Sequence, residues 1–142
     1  MKCIIHIDGG ARGNPGPAAA GVVIRDADSG RYLLEAGYYL GETTNNVAEY
    51  EGLIRSLRAA HELGVTRAVI HSDSELMVKQ VNGEYRVKAA HLKPKHAEAT
   101  ELLSSFDAWE FVHVRREKNK LADELANRAM DAGDDVLFET ND

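Results

Sequence analysis

The sequence is poor in cysteine and has no long hydrophobic run. Its 142 residues include one cysteine, Cys3, which excludes an internal disulfide. No apolar stretch approaches the roughly 20 residues that a membrane-spanning helix needs, and the first residues are typical of a short strand, not of a signal peptide. A hydrophobic fraction of 44% with 28% charged residues excludes wholesale disorder. We therefore expect a single cytoplasmic domain that is monomeric and has no membrane partner.

Positive charge is also scarce, with 17 Lys and Arg residues against 23 Asp and Glu residues and a net charge of −6. Five of these net negative charges lie in residues 131–142, so the first 130 residues are near neutral. The stretches 79–96 and 115–120 are locally basic. The acidic total therefore does not exclude a polyanionic partner. We predict one domain over residues 1–132, followed by a disordered acidic tail over residues 133–142.

Hydrophobic periodicity predicts nine elements in the order β-β-β-α-β-α-α-β-α. The first strand is predicted to stop at Asp8, because a loop rich in glycine and proline follows. The next two strands, near residues 20–24 and 31–40, form an antiparallel meander, and helices begin near residues 46, 74, 94 and 121. This order predicts an α/β fold with a mixed sheet and helices on both faces.

Four carboxylates stand at the ends of predicted elements: Asp8, Glu49, Asp73 and Asp123. Each has an ordinary structural explanation, such as a turn, a capping box, an N-cap or a charge near a helix dipole. In alternating α/β sheets, however, such ends often meet in a crevice, where clustered carboxylates repel one another unless cations are bound. Oxygen ligands suit Mg²⁺ or Mn²⁺, and two such ions can support a phosphoryl displacement. The pattern allows a metal site but leaves open whether the four residues meet.

Four sequence blocks, each with one of these acids, resemble the blocks of type 1 ribonuclease H in order and spacing. They cover residues 8–17, 43–49, 71–74 and 119–126, and the resemblance extends to about residue 132. It implies a ribonuclease H-like α/β fold, with a five-stranded mixed sheet of three antiparallel strands and then parallel strands, and helices on both faces. It also implies an endonuclease that hydrolyses the RNA strand of RNA–DNA hybrids by a two-metal-ion mechanism, leaving 5′-phosphate and 3′-hydroxyl ends.

The same resemblance suggests roles for individual residues. The four acids look like catalytic residues that bind two Mg²⁺ ions, with Mn²⁺ as a substitute. Contacts to the minor groove and to 2′-hydroxyl groups, which distinguish RNA from DNA, are expected from Asn14, Asn45 and Asn46. The resemblance also implies that either Thr43 or Thr44 contacts a phosphate of the substrate. The remaining expected substrate contacts are Gly9, Arg12, Ser74, Glu75, Arg116, Lys118 and Asn119.

The chain departs from the family pattern at three places. The loop before Asp123 lacks the mobile histidine of many bacterial members, and we hypothesise that Arg116 or Lys118 takes part of its role. Residues 82–94 stand where larger members insert a basic handle, and a separate hybrid-binding domain is also missing, which predicts weaker hybrid affinity. Glu75 stands where many members have a glutamine that contacts a base, which puts that contact in doubt.

Other functions remain as alternatives. A hybrid-binding module without catalysis is disfavoured by the four intact acids. Another nuclease of the same fold, such as a junction resolvase or an exonuclease, is disfavoured by the Thr-Asn-Asn segment and the Asn-Pro-Gly loop. A dinucleotide site in the glycine-rich loop is disfavoured because its spacing does not match G-x-G-x-x-G and a strand, not a helix, follows.

Overall fold

A computed structural model describes residues 1–139 as a mixed sheet of six strands in the order β5-β4-β1-β2-β3-β6. The strands are β1 (Lys2–Ala11), β2 (Gly16–Asp26), β3 (Tyr32–Thr43), β4 (Arg67–Ser72), β5 (Ala108–His113) and β6 (Val136–Glu139). The helices are α1 (Asn45–Glu62), α2 (Glu75–Val81), α3 (Lys93–Ser104) and α4 (Lys120–Ala132). β1 pairs antiparallel with β2 and parallel with β4, which in turn pairs parallel with β5.

Helices cover both faces of the sheet because successive side chains of a strand point to opposite faces. The larger core includes Ile5 and Ile7 of β1 together with Leu53 of α1. On the other face, Val23 of β2 packs against Leu125 of α4. The predicted α/β fold, with antiparallel strands followed by parallel strands and helices on both faces, is therefore confirmed. Within residues 1–139, no helix is both long enough and apolar enough to cross a membrane.

Helix α4 lies unusually close to the sheet, and this closeness depends on glycine. A Cβ added to Gly21 of β2 would lie 1.9 Å from the carbonyl oxygen of Ala122. The main chains of β2 and α4 therefore touch directly at this point, with no side chain between them.

The first strand is longer than predicted. It does not stop at Asp8 but continues to Ala11, because residues 9–11 pair with residues 18–20 of β2. The glycines that suggested a turn serve as strand residues where other elements come close. Asp8 consequently lies inside the strand and not at its end.

The sheet has six strands and not the predicted five, and the difference lies at Val136–Glu139, within the segment predicted to be a disordered tail. These residues form β6, which pairs antiparallel with residues 34–37 of β3 at the edge of the sheet. Val136 packs against Ala126 and Ala129 of α4, and Asp135 Oδ1 accepts a hydrogen bond from the Tyr39 amide at 2.8 Å. The acidic composition of this segment led to the prediction of disorder, although the segment also contains the apolar residues that form the strand. The last three residues of the predicted tail, 140–142, lie outside the described residues.

Candidate active site

Three of the predicted acids meet where β1, β4 and α1 come together. The parallel register pairs Ile7 of β1 with Ser72 of β4, which places Asp8 beside Asp73. Glu49 joins them from the start of α1, and carboxylate oxygens of the three residues lie within 4.8 Å of one another. Asp123, from the first turn of α4, lines the same cleft of about 590 Å³.

The position of Glu49 depends on a close contact between β1 and α1. A Cβ added to Gly9 would lie 2.4 Å from the carbonyl carbon of Ala48, so only glycine allows the helix to approach this closely. The Gly9 amide donates a hydrogen bond to the Glu49 carboxylate. This contact therefore holds the third carboxylate beside the first.

The hydrogen bonds at the helix starts exclude two of the ordinary explanations for the acids. Thr44 is the N-cap of α1, and its hydroxyl accepts a hydrogen bond from the Val47 amide, so Glu49 is not the third helical residue that a capping box requires. Ser74, not Asp73, caps α2 in the same way. Neither Glu49 nor Asp73 is needed to cap a helix, so both carboxylates are available to the cleft.

Two carboxyls of the cluster, those of Asp8 and Glu49, have raised pKa values, because both are buried and close to further negative charge. Burial raises the pKa of Asp8 far above its ordinary value, and the charges of Glu49 and Asp73 and a hydrogen bond with Asp123 raise it further. Burial and the nearby Asp73 raise the pKa of Glu49 to about 8. In the part of the chain that the structure describes, the buried Glu49 Oε2 has no hydrogen-bond partner. Oxygen ligands with this mutual repulsion fit a divalent cation such as Mg²⁺ or Mn²⁺.

Six of the other predicted contact residues line the cleft: Gly9, Arg12, Asn45, Asn46, Ser74 and Arg116. Asn14 supports them from outside, because its Oδ1 accepts a hydrogen bond from the Asn45 amide at 3.1 Å. Asn45 Oδ1 in turn accepts one from the Ala11 amide at 2.7 Å. These bonds join the loop after β1 to the start of α1.

Besides Asn14, five predicted contact residues are not among those that line the cleft: Thr43, Thr44, Glu75, Lys118 and Asn119. Thr44 is used as a helix cap, while Thr43 ends β3 opposite Gly16. Glu75 forms an ion pair with Lys79, and Lys118 lines a different pocket.

Asn119 differs from the other predicted contact residues because it is buried, with only 2% of its surface exposed. Its Nδ2 donates to the Ile7 carbonyl at 2.7 Å, and its Oδ1 lies 3.1 Å from His6 Nδ1. Both polar atoms are therefore used inside the protein. The side chain attaches the start of α4 to β1. That Asn119 contacts substrate stays a prediction.

Sequence reasoning missed several residues that line the cleft, including His113, Arg115, Asn127 and Met130. His113 ends β5 and is paired with Ser72, next to Asp73. The parallel pairing of β4 with β5 could have indicated this position, because the carboxyl ends of parallel strands meet at the same edge. Asn127 and Met130 lie one and two turns after Asp123 on α4, so the helical repeat predicts that they share its face.

Comparison with known proteins agrees with this architecture. A family model described as reverse transcriptase-like matches residues 6–129. A bifunctional protein of Mycobacterium tuberculosis is 46% identical over 132 residues, which is 93% of this chain. Ribonuclease H1 of the halophilic archaeon Halobacterium salinarum has a TM-score of 0.90 at 42% identity, covering 93% of this chain and 99% of that one. LC11-RNase H1, solved in complex with an RNA/DNA hybrid, has a TM-score of 0.87 at 48% identity, covering 92% and 98%.

The mixed sheet, the helices on both faces and the acidic cleft define a nuclease-like α/β domain of the reverse transcriptase-like class. Within that class, the chain belongs to the ribonuclease H family. It spans 36% of the length of the M. tuberculosis protein and 63% of the length of the H. salinarum ribonuclease HI.

Proposed function

We propose that this chain is a ribonuclease H that hydrolyses the RNA strand of RNA–DNA hybrids and leaves 5′-phosphate and 3′-hydroxyl ends. The observation that carries the proposal is the meeting of Asp8, Glu49 and Asp73 within 4.8 Å in an open cleft. Asp123 lines the same cleft. The similarity to LC11-RNase H1, which was solved with an RNA/DNA hybrid, supports the choice of substrate.

The four acids would hold two Mg²⁺ ions, with Mn²⁺ as a substitute. Cations would compensate the repulsion that raises the pKa of Asp8 and Glu49, and one would give Glu49 Oε2 the partner that it lacks. When bound, a pair of such ions activates water and stabilises the departing oxygen of a phosphodiester. The protein contributes the rigid spacing of the carboxylates, which lie on a strand and at the ends of a strand and two helices.

Substrate recognition would come from the start of α1. Asn45 and Asn46 are exposed and lie beside the acids. The bonds from Ala11 and to Asn14 hold Asn45 in place through its Oδ1 and its main-chain amide, so its Nδ2 is the donor that remains for substrate. An amide can both donate to and accept from a 2′-hydroxyl in the wide minor groove of a hybrid. Of the two threonines, Thr43 is the better candidate for a phosphate contact, because the Thr44 hydroxyl caps the helix.

Arg116 would attract the phosphate that is cut. It is exposed and lines the cleft, in the loop where many relatives have a histidine. A guanidinium group binds a phosphate through two parallel hydrogen bonds and keeps its charge at every physiological pH. It can therefore hold a phosphate or a product end, but it does not exchange protons as an imidazole would.

The decisive experiment is cleavage of a labelled RNA–DNA hybrid in the presence of Mg²⁺ or Mn²⁺. The variant Asp73→Asn should lower the rate by about 10²–10³-fold or more, since it removes charge stabilisation at the reacting phosphate. Asp107→Asn is the matched control, because Asp107 is exposed and outside the cleft. Full activity in Asp73→Asn would refute the assignment of the acids.

A panel of substrates separates the alternatives. Cleavage of the hybrid with little cleavage of four-way junctions or of DNA ends supports a ribonuclease H. Preferred cleavage of junctions would instead identify a resolvase, and preferred cleavage from ends an exonuclease. Metal-dependent binding of the hybrid without turnover would indicate a binding module.

A further inference from the structure

The short turn Arg116–Lys118 borders two cavities. Arg116 lines the acidic cleft, whereas Lys118 lines a second pocket of about 270 Å³. The polar wall of this second pocket also includes His6 of β1, Arg25 of β2 and Tyr32 of β3. The two cavities thus share one turn but have no lining residue in common.

The second pocket has the opposite charge to the cleft. No aspartate or glutamate is among its lining residues, whereas the cleft is lined by four. Within residues 1–139, six ion pairs form elsewhere, but neither Arg25 nor Lys118 takes part in one. Two unpaired cations beside a concave surface without carboxylates create a local positive potential, although the whole chain has a net charge of −6.

The donors of the pocket suit a phosphate group. Arg25 is half-buried, which restricts its side chain and favours a bidentate contact, and the exposed Lys118 can approach as a second cation. Tyr32 also lines the pocket, and its hydroxyl is a further, neutral donor. His6 forms part of the wall, and its Nδ1 is already used by Asn119 Oδ1.

We propose that this pocket is a second binding site, separate from the acidic cleft, for a phosphate monoester anchored by Arg25 and Lys118. The ligand is either a small phosphorylated molecule or the 5′-phosphate end of a nucleic-acid strand, since both present the same dianion. A bound phosphate would restrain Lys118 and, through the three-residue turn, Arg116 in the cleft. The proposal is independent of the ribonuclease activity, because the pocket contains none of the four acids.

The first test is a titration of the metal-free protein with inorganic phosphate, followed by amide NMR shifts. We expect saturable shifts at Gly30, Lys118 and Asn119 with a Kd of about 1 mM. Arg25→Gln and Lys118→Gln should each weaken binding by about fivefold or more, a loss of about 1 kcal/mol. Arg31→Gln is the matched control, because Arg31 lies on the adjacent turn and outside the pocket.

The proposal is overturned if the wild type shows no saturable shifts, or if Arg25→Gln and Lys118→Gln bind phosphate as the wild type does. Thermal unfolding checks that Arg25→Gln is folded. If it is not, Lys118→Gln decides the test, because Lys118 is exposed. No metal and no cleavage are involved, so a negative result leaves the ribonuclease proposal untouched.

A second experiment distinguishes a nucleic-acid strand end from a small phosphorylated molecule as the ligand. Short oligoribonucleotides with 5′-phosphate or 5′-hydroxyl ends are compared with a nucleoside monophosphate. If the ligand is a strand end, the phosphorylated oligomer binds about tenfold more tightly than the monophosphate, and Arg25→Gln removes that gain. If the ligand is small, the two phosphorylated compounds bind equally. Equal binding of the 5′-phosphate and 5′-hydroxyl oligomers would contradict the proposal.

Discussion

Gly9 faces the main chain of Ala48 so closely that a Cβ on Gly9 would lie 2.4 Å from the Ala48 carbonyl carbon. Gly9→Ala must therefore push α1, and Glu49 with it, away from β1. We predict a loss of about 1–3 kcal/mol in the free energy of unfolding and a large loss of cleavage activity. Urea unfolding and hybrid cleavage measure the two effects.

Gly10→Ala is the control for Gly9→Ala, because a Cβ on Gly10 would meet only Asn45 Oδ1, at 3.9 Å. This variant should keep nearly the stability of the wild type. Equal losses in the two variants would show that the approach of α1 does not depend on Gly9.

The carboxyl of Glu49 makes the stability of the metal-free protein dependent on pH. Burial and the charge of Asp73 raise its pKa from 4.5 to about 8. Between these values the folded state keeps a proton that the unfolded state has lost, so the free energy of unfolding falls as the pH rises. Glu49→Gln removes this penalty. In the presence of a chelator, the variant should be more stable than the wild type by about 1 kcal/mol or more at pH 8.

Thermal unfolding at two pH values tests this prediction. The stability advantage of Glu49→Gln should shrink as the pH is lowered towards the ordinary pKa of a glutamate. There the carboxyl of the wild type is increasingly protonated in the unfolded state as well as in the folded state. Glu62→Gln, at the exposed end of α1, serves as the control. An advantage of the same size at both pH values would mean that a cause other than ionisation is responsible.

Asn119 positions the start of α4, and with it Asp123. Asn119→Ala removes the donor to the Ile7 carbonyl and should cost about 1–3 kcal/mol of stability. Because Asp123 lies one turn further along the helix, we also expect kcat to fall more than KM changes. Asn82→Ala removes a comparable bond to the Phe111 carbonyl, away from the acids, and should lower stability alone. If both variants lower kcat equally, Asn119 has no specific positioning role.

Arg116 should contribute to hybrid binding through its charge. Arg116→Ala is expected to reduce the slope of log K against log salt by about 1 and to weaken binding at low salt. Lys120→Ala, an exposed neighbour that does not line the cleft, should change the affinity less. Binding is measured with a chelator present, so that cleavage does not interfere. Identical salt slopes for Arg116→Ala and the wild type would exclude a phosphate contact.

Strand β6 should stabilise the domain without affecting catalysis. A truncation after Asp135 removes the pairing with β3 and the packing of Val136 against α4. We expect a loss of about 1–2 kcal/mol, as for one buried apolar side chain, with kcat unchanged, because residues 136–139 do not line the cleft. Leu137→Ala is the control, since Leu137 is 54% exposed. Unchanged stability after truncation would show that β6 contributes nothing to folding.

Sequence reasoning identified the four acids, because each lies in a recognisable block, and it predicted the order of the helices and the first five strands from periodicity. It did not predict β6, because the segment has only three consecutive apolar residues, at positions 136–138, and acidic residues flank them on both sides. It also gave no indication that the Asn119 side chain is buried, because this burial depends on contacts with β1, which is more than a hundred residues away in the chain. His113 was missed because its place beside Asp73 depends on strand pairing and not on local sequence.

The direct contact between the main chains of Gly21 and Ala122 determines how the spacing of two active-site acids responds to substitutions elsewhere in the core. Asp8 is paired with Gly21, and Asp123 follows Ala122, so each acid is one step from a place where two main chains touch. The distance between these acids is therefore determined by the thickness of the polypeptide backbone and not by the volume of packed side chains. Changes in the volume of core side chains should therefore leave this spacing unchanged as long as position 21 remains glycine.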